Sequence, residues 1–264
     1  MNIREIVGGL RNYSEINREE RNYAAILYAA LCQKGNPERF LKLLGINEPI
    51  SGDFGIFFEY AFIRDLWNSI KREEAGETKK TVIRENLRIS NLDRILAMSA
   101  REMNETFGVG GKVSKDFIQY PGRWSISRFN DQFTDNQDFM KVCMFKWAFN
   151  IKPDIVIHLS KDRAVCIEAK NESGEGVYPE SEIDRKVFKD RNIGSIGQLN
   201  VQKYMLEDLL GLKTDFFYLI PRKRTGTSPT PVITWAEAFS TLDMREMPGF
   251  SKNMIALISK KQQS

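Results

Sequence analysis

The clearest alternation of apolar and polar positions lies in the middle of the chain, between residues 151 and 171. Two short apolar runs, 155–159 and 164–167, are separated by polar residues 160–163. Short apolar runs bounded by turn residues are typical of buried strands, and side chains two apart on a strand share one face. The pattern predicts a β-hairpin with Asp154 at its entrance and with Glu168 and Lys170 at its exit.

Helical periodicity dominates the first fifty residues. Apolar positions three or four apart predict a helix over 18–33, with Asn17 as its N-cap and Glu20 three residues later. Residues 38–44 predict a short second helix, which Gly45 ends. We expect these two helices to form a lobe that packs against the rest of the chain or against a partner.

Three further segments surround the hairpin. Residues 53–74 are apolar around most of a helix circumference, which predicts a largely buried helix with Glu59 in its middle. Residues 139–150 alternate in part and are rich in aromatic side chains, which predicts a strand. Residues 195–211 predict a helix capped by Ser195 and closed by Gly211.

A buried strand over 214–221 and two short helical segments near 235–242 and 252–260 complete the predicted elements. Together the elements favour a mixed α+β fold of the α/β type, with a central mixed sheet flanked by helices. We expect an N-terminal helical lobe over residues 1–50. A main domain with a C-terminal helical extension would occupy residues 51–264.

Composition narrows the class of protein. The chain has 264 residues, of which 42% are hydrophobic, enough for a substantial core. Its three cysteines form no CxxC pair, which argues against a zinc ribbon or a disulfide framework and favours reduced thiols. The first residues have no apolar signal-peptide core, and no run approaches the ~18 apolar residues of a spanning helix. We therefore expect a cytoplasmic protein with no membrane contact.

The net charge alone does not predict nucleic-acid binding, since 39 basic and 35 acidic residues give a formal net charge of only +4. A nucleic-acid surface would have to come from local clusters of basic residues. The candidate clusters are Arg185 with Lys186, and the run Arg222, Lys223 and Arg224.

The hairpin carries the candidate chemistry. If the two strands pair antiparallel, Asp154 lies across from Glu168, and two carboxylates removed from bulk water need a partner, most simply a divalent cation. Lys170 shares a strand face with Glu168. A protonated lysine has no lone pair for a metal, but it can stabilise negative charge that develops on a phosphate. The three residue types suit Mg²⁺-dependent phosphodiester hydrolysis.

At these positions the sequence resembles the PD-(D/E)xK nuclease superfamily, which has the restriction-endonuclease-like fold. Pro153 and Asp154 supply the PD, and Glu168, Ala169 and Lys170 supply the ExK. The resemblance implies that Asp154 and Glu168 bind Mg²⁺, for which Mn²⁺ can substitute. It also implies a catalytic role for Lys170.

Two further roles follow from the resemblance. The first core helix of the family often carries an acidic residue, which would be the metal ligand Glu59 here. In the exonuclease-like branch, the helix after the ExK strand carries Q-x-x-x-Y. Gln198 matches the glutamine, whereas Tyr204 is out of register. The implied activity is that of a nuclease acting on DNA in restriction, defence or repair, and cutting both strands would call for two active sites and hence a homodimer.

Several alternatives stay open at the level of sequence. Asp154, Glu168 and Lys170 can also form a buried structural ion pair, and the fold can serve as a nucleic-acid-binding or assembly module without cleavage. His158 and Cys166 suggest a cysteine nucleophile, although nothing identifies an oxyanion hole. Three residues of the segment 107–138 could contact nucleic acid: Arg123, Trp124 and Arg128.

The GVGGK sequence at 108–112 has glycines beside a lysine, as a phosphate-binding loop does. It lacks the glycine required at position 106, and Val113 stands where serine or threonine is required after the lysine. A nucleotide-binding P-loop is therefore not expected.

Overall fold

The computed structural model describes residues 19–50, 52–70, 75–109, 114–171, 174–222 and 229–261. Within these ranges the chain forms twelve α-helices and seven strands. The helices are α1 (Glu20–Leu31), α2 (Asn36–Leu43), α3 (Phe62–Ser69), α4 (Ala75–Asn86), α5 (Leu92–Ala97), α6 (Ala100–Thr106), α7 (Ile126–Phe129), α8 (Asn136–Ala148), α9 (Glu182–Asp190), α10 (Gln198–Lys203), α11 (Trp235–Ser240) and α12 (Gly249–Lys261).

Five of the seven strands form one mixed sheet, and the other two form a small hairpin. The strands are β1 (Gly55–Phe58), β2 (Ile155–Ser160), β3 (Arg163–Ala169), β4 (Val177–Tyr178), β5 (Ile196–Gly197), β6 (Lys213–Ile220) and β7 (Val232–Thr234). The order in the large sheet is β1-β2-β3-β6-β7. Strand β2 is antiparallel to both β1 and β3, whereas β6 is parallel to both β3 and β7. This arrangement confirms the predicted mixed α+β fold with a central sheet flanked by helices.

The predicted hairpin is confirmed. Ile155 pairs with Ile167 and Val156 with Cys166 across β2 and β3. Alternate residues of these strands, such as Ile157 and Val165, are fully buried in one hydrophobic core. That core also contains apolar side chains of α1, α2, α11 and α12. Burial of one sheet face against helices fixes the register, because a shift of one residue would turn every core side chain to the other face.

Contacts between residues divide the chain into two compact units, each built from separated segments. The first unit contains residues 1–60, 153–174 and 212–264, and it holds the large sheet. The second contains residues 61–152 and 175–211. The predicted N-terminal helices α1 and α2 therefore belong with the sheet in the first unit. The boundary at residue 50 between a lobe and a nuclease-like domain stays a prediction.

The helix predicted over 53–74 is wrong in its first half. Residues 55–58 form the edge strand β1, and the helix α3 begins only at Phe62. Between them, Glu59 has a positive φ of 48°, a conformation that interrupts regular structure and is rare outside glycine, asparagine and aspartate. The apolar run was too uniform to distinguish a buried strand from a helix.

The strand predicted over 139–150 is also wrong, because this segment lies in helix α8. Asp135 caps the helix, and its side chain accepts a hydrogen bond from the Asp138 N–H at 2.9 Å. The partial alternation of aromatic residues arose from a helix that buries side chains around most of its circumference, including Phe139, Val142 and Phe145.

The helix predicted over 195–211 is present but begins later. Ser195 is not its cap. Gly197 is the N-cap of α10, and residues Tyr204–Leu209 continue as a π-helix up to the positive-φ residue Gly211. The predicted strand over 214–221 is β6, and the two predicted C-terminal helices are α11 and α12. No helix within the described ranges is long and apolar enough to span a membrane.

Candidate active site

The motif carboxylates and lysine lie together at one end of the β2–β3 hairpin. Continuing the strand register places Asp154 opposite Glu168, as predicted. The Asp154 Oδ2 atom accepts a hydrogen bond from the backbone N–H of Ala169 at 2.8 Å. The Lys170 Nζ atom donates to Glu168 Oε1 at 2.7 Å, and the two side chains are only 12% and 5% exposed.

Backbone contacts from neighbouring strands hold this end of the hairpin in place. The N–H of Glu59 donates to the carbonyl of Asp154, and the N–H of Tyr60 donates to the carbonyl of Pro153, each at 2.9 Å. On the other side, the N–H of Lys170 donates to the carbonyl of Leu219 on β6 at 2.7 Å. The motif residues are therefore fixed by strands on both flanks.

Asp154 and Glu168 are neighbouring carboxylates with too little positive charge nearby to stabilise both in the ionised form. Burial raises the pKa of Asp154 to about 7, and the charge of Glu168 adds to the effect. The Ala169 N–H and Lys170 offset only part of it. For Lys170, burial alone would lower the pKa, but the neighbouring carboxylates Glu168, Glu20 and Asp154 together outweigh burial, and the net pKa is raised. Lys170 is thus held as an ammonium ion.

A third acidic residue near the motif was not predicted from the sequence. Glu20 begins α1, and its Oε2 atom accepts a hydrogen bond from the backbone N–H of Asn171 at 3.0 Å. Its negative charge further raises the pKa values of Asp154 and Lys170. The pattern offered only the acidic first turn of α1, which favoured a capping role with Asn17, and Asn17 lies outside the described residues. Contact between residues 20 and 171 depends on tertiary packing.

Glu59 does not lie on a helix, so the helical role predicted for it is wrong. It sits in the turn after β1, and its carboxylate forms an ion pair with Arg21 at 2.5 Å. The Glu59 side chain is 28% exposed and that of Arg21 is 70% exposed. Glu59 contributes its backbone N–H to Asp154, whereas Glu20 contributes negative charge to the motif.

Gln198 is the first residue of α10 and belongs to the second unit, whereas the motif belongs to the first. Its backbone N–H donates to the carbonyl of Gly176 at 2.8 Å. Tyr204 lies at the start of the π-helix, and burial raises its pKa. The catalytic role of Gln198 stays a prediction.

The predicted basic clusters have different surroundings. Arg222 is exposed and follows β6 closely, as Lys170 follows β3. Because β3 and β6 are parallel, Arg222 and Lys170 lie toward the same end of the sheet. In the second unit Lys186 is exposed on α9, and Arg185 donates from Nε to the carbonyl of Pro179 at 3.1 Å. Lys223 and Arg224 lie outside the described residues.

The alternative of a cysteine nucleophile with His158 as its base is not supported by the geometry. Cys166 pairs with Val156, whereas His158 pairs with Ala164 and contacts the Tyr60 hydroxyl at 2.9 Å. Burial raises the pKa of the Cys166 thiol, which disfavours a nucleophilic thiolate.

Trp124 is not available for base stacking, because it is 2% exposed. Its ring packs 4.2 Å from the ring of Phe107 and 5.8 Å from that of Phe145, measured between centroids. Arg123 and Arg128 are both exposed. Of the GVGGK sequence at 108–112, residues 110–112 lie outside the described ranges.

The described residues contain no group of three or more His, Cys, Asp or Glu side chains arranged to hold a metal ion. Asp154 and Glu168 are nonetheless the kind of oxygen donors that Mg²⁺ accepts, and Mg²⁺ commonly uses only one or two protein carboxylates together with water and phosphate oxygens. No protein-family model, curated protein or solved structure matches this chain.

Proposed function

We propose that this protein is a Mg²⁺-dependent nuclease that hydrolyses phosphodiester bonds of DNA. The observation that carries the proposal is the juxtaposition of Asp154 and Glu168 across paired strands, with the Lys170 ammonium 2.7 Å from Glu168. Two carboxylates and a lysine at the end of a hairpin match the chemistry of metal-assisted phosphate hydrolysis. The proposal includes a cytoplasmic location, where the three cysteines would remain reduced.

The donor set fits a magnesium ion. Burial and the charge of Glu168 raise the pKa of Asp154 to about 7, so the charged pair lacks compensating positive charge. Asp154 and Glu168 would hold the ion, and Mn²⁺ would substitute for it because it also accepts oxygen ligands. When bound, Mg²⁺ supplies Lewis-acid polarisation of the phosphate and lowers the pKa of a coordinated water. Glu20 adds negative charge that favours a cation at this place.

The protein's own residues have distinct roles in this proposal. Lys170, held as an ammonium by Glu168, donates hydrogen bonds and positive charge to the phosphate oxygens as negative charge develops on them. It remains outside the metal's ligand set because a protonated amine has no free lone pair. The hydrogen bonds from Ala169 to Asp154 and from Lys170 to Leu219 fix these groups before substrate binds.

The decisive experiment compares cleavage of supercoiled plasmid, linear duplex, single-stranded DNA and RNA in Mg²⁺, Mn²⁺ or EDTA. We expect cleavage that requires metal and disappears in Asp154→Ala and Lys170→Ala variants that remain folded by circular dichroism. Asp162→Asn is the matched control, since Asp162 is an exposed carboxylate in the turn of the same hairpin. Full activity in both motif variants would exclude the site.

One observation favours a second candidate function, a nucleic-acid-binding module without cleavage. Lys170 already neutralises Glu168 in a nearly buried pair, so the pair can serve structure alone. In that case the protein would bind nucleic acid equally in Mg²⁺ and EDTA, and no substrate would be cut. Metal-dependent cleavage lost in the motif variants would exclude this module.

A further inference from the structure

The position of Lys170 depends on a residue far away in sequence. Strand β3 ends at Ala169, so the regular sheet does not set the peptide group that follows Lys170. Instead, the indole Nε1–H of Trp235 donates a hydrogen bond to the carbonyl oxygen of Lys170 at 3.1 Å. The next N–H, that of Asn171, donates to Glu20 at 3.0 Å. Immediately after the motif, hydrogen bonds to side chains therefore take the place of the backbone hydrogen bonds between strands.

Trp235 is well suited to hold this carbonyl because it is rigid. The side chain is fully buried, with its ring 5.9 Å from both the ring of Tyr23 and that of Phe239. It is the first residue of α11, and a capping box between Thr234 and Glu237 fixes the start of that helix. Thr234 also ends β7 and pairs with Ile220 of β6.

We propose that Trp235 is a positioning residue for Lys170, an inference that rests on the nuclease function proposed above. A lysine side chain has four rotatable bonds, so its ammonium reaches one place reliably only if its backbone is fixed. The Trp235 hydrogen bond fixes the carbonyl side of Lys170, while Leu219 fixes its N–H side. Trp235 does not touch the reacting atoms, and it acts through the orientation of Lys170.

The test is Trp235→Phe, with Trp124→Phe as the matched control. Both tryptophans are buried, but the buried indole nitrogen of Trp124 has no hydrogen-bond partner among the described residues, so the control removes ring area without removing such a bond. We expect Trp235→Phe to lower kcat roughly 10- to 100-fold, with KM and Mn²⁺ affinity within about twofold of wild type. Equal kcat losses in the two variants, or a loss confined to Mn²⁺ affinity, would overturn the proposal.

A second readout does not depend on nuclease activity. Acetylation of Lys170, followed by mass spectrometry, should be several-fold faster in Trp235→Phe than in wild type or Trp124→Phe, because the lysine would leave Glu168 more often. Unchanged acetylation overturns the positioning role, whether or not wild type cleaves DNA. Absence of cleavage by wild type, with faster acetylation in the variant, would instead exclude the nuclease function alone. If Trp235→Phe does not fold, replacement of Trp235 by 3-benzothienylalanine removes the N–H and keeps the ring size.

Discussion

Asp154 is held by hydrogen bonds in a place where its negative charge is unfavourable. Its backbone and side chain are both held by hydrogen bonds, from Glu59 and Ala169 respectively. Its charge is nevertheless disfavoured, since burial and Glu168 raise its pKa to about 7. Groups placed for chemistry often lower stability in this way, because the surrounding fold must tolerate repulsion that a bound ligand would relieve.

We therefore expect Asp154→Asn to stabilise the protein at pH 8 in EDTA. The amide oxygen can still accept the Ala169 N–H, while the repulsion with Glu168 disappears. The free energy of unfolding should rise by about 1–2 kcal/mol in urea titrations, which is less than the whole pKa shift of Asp154 from 3.8 to about 7 represents at roughly 1.4 kcal/mol per unit. Asp162→Asn should bring no such gain, and a loss of stability in Asp154→Asn would contradict the electrostatic description.

Glu20 and Glu59 make a second residue-level comparison. Glu20 places its charge near Asp154, whereas Glu59 is paired with Arg21. We expect Glu20→Gln to weaken Mn²⁺ binding several-fold in calorimetric titrations, because one negative charge near the cation is lost. Glu59→Gln should leave the affinity within about twofold of wild type. A larger loss of Mn²⁺ affinity in Glu59→Gln than in Glu20→Gln would indicate that Glu59 is a metal ligand.

At the scale of elements, β1 and β2 are linked by a titratable contact. The hydroxyl of Tyr60, which follows β1, lies 2.9 Å from His158 Nε2 on β2, and the ring centroids of Phe57 on β1 and His158 are 5.0 Å apart. Burial lowers the pKa of His158. The folded state therefore favours the neutral imidazole, and the unfolded chain binds more protons just below pH 6.5.

Because the unfolded chain binds more protons in this range, we expect the free energy of unfolding to rise with pH between the lowered His158 pKa and about pH 6.5. It should fall on acidification through the same range. His158→Gln should flatten this part of the curve of unfolding free energy against pH. Asp154 contributes the opposite slope up to about pH 7, but it is present in both proteins and cancels in the difference. Parallel curves for wild type and variant would contradict the burial of a neutral histidine.

The elements also show what the sequence could predict. The β2–β3 hairpin was predictable because each strand is a short apolar run bounded by polar residues, and its register placed Asp154 opposite Glu168. Strand β1 and helix α8 were not, since both are apolar over most of their length and lack a clean period. Glu20 escaped prediction for another reason: its contact with Asn171 spans 151 positions, and only the packing of α1 against the sheet brings it there.

At the scale of the whole molecule, the modest net charge of +4 leaves nucleic-acid binding to local surfaces. Arg222, the described residue of the run 222–224, lies toward the motif end of the large sheet. If it contacts a phosphate, it would contribute one released counterion to binding.

We expect Arg222→Glu to weaken duplex DNA binding and to reduce the slope of log affinity against log salt concentration by about 1. Lys161→Glu is the matched charge reversal, because Lys161 is exposed in the turn at the opposite end of the β2–β3 hairpin. Fluorescence anisotropy across a range of salt concentrations measures both slopes. Identical slopes for the two variants would place the DNA-binding surface elsewhere.

The sheet order has a consequence for the timing of synthesis. Asp154, Glu168 and Lys170 are translated well before β6, which pairs with β3, and before Trp235, which holds Lys170. A nascent chain that ends before residue 213 has the motif residues but lacks Leu219 and the parallel neighbour of β3. The complete site therefore forms only after Trp235, 65 positions after Lys170, has emerged from the ribosome, and a translation product truncated before β6 carries the motif without the contacts that orient it.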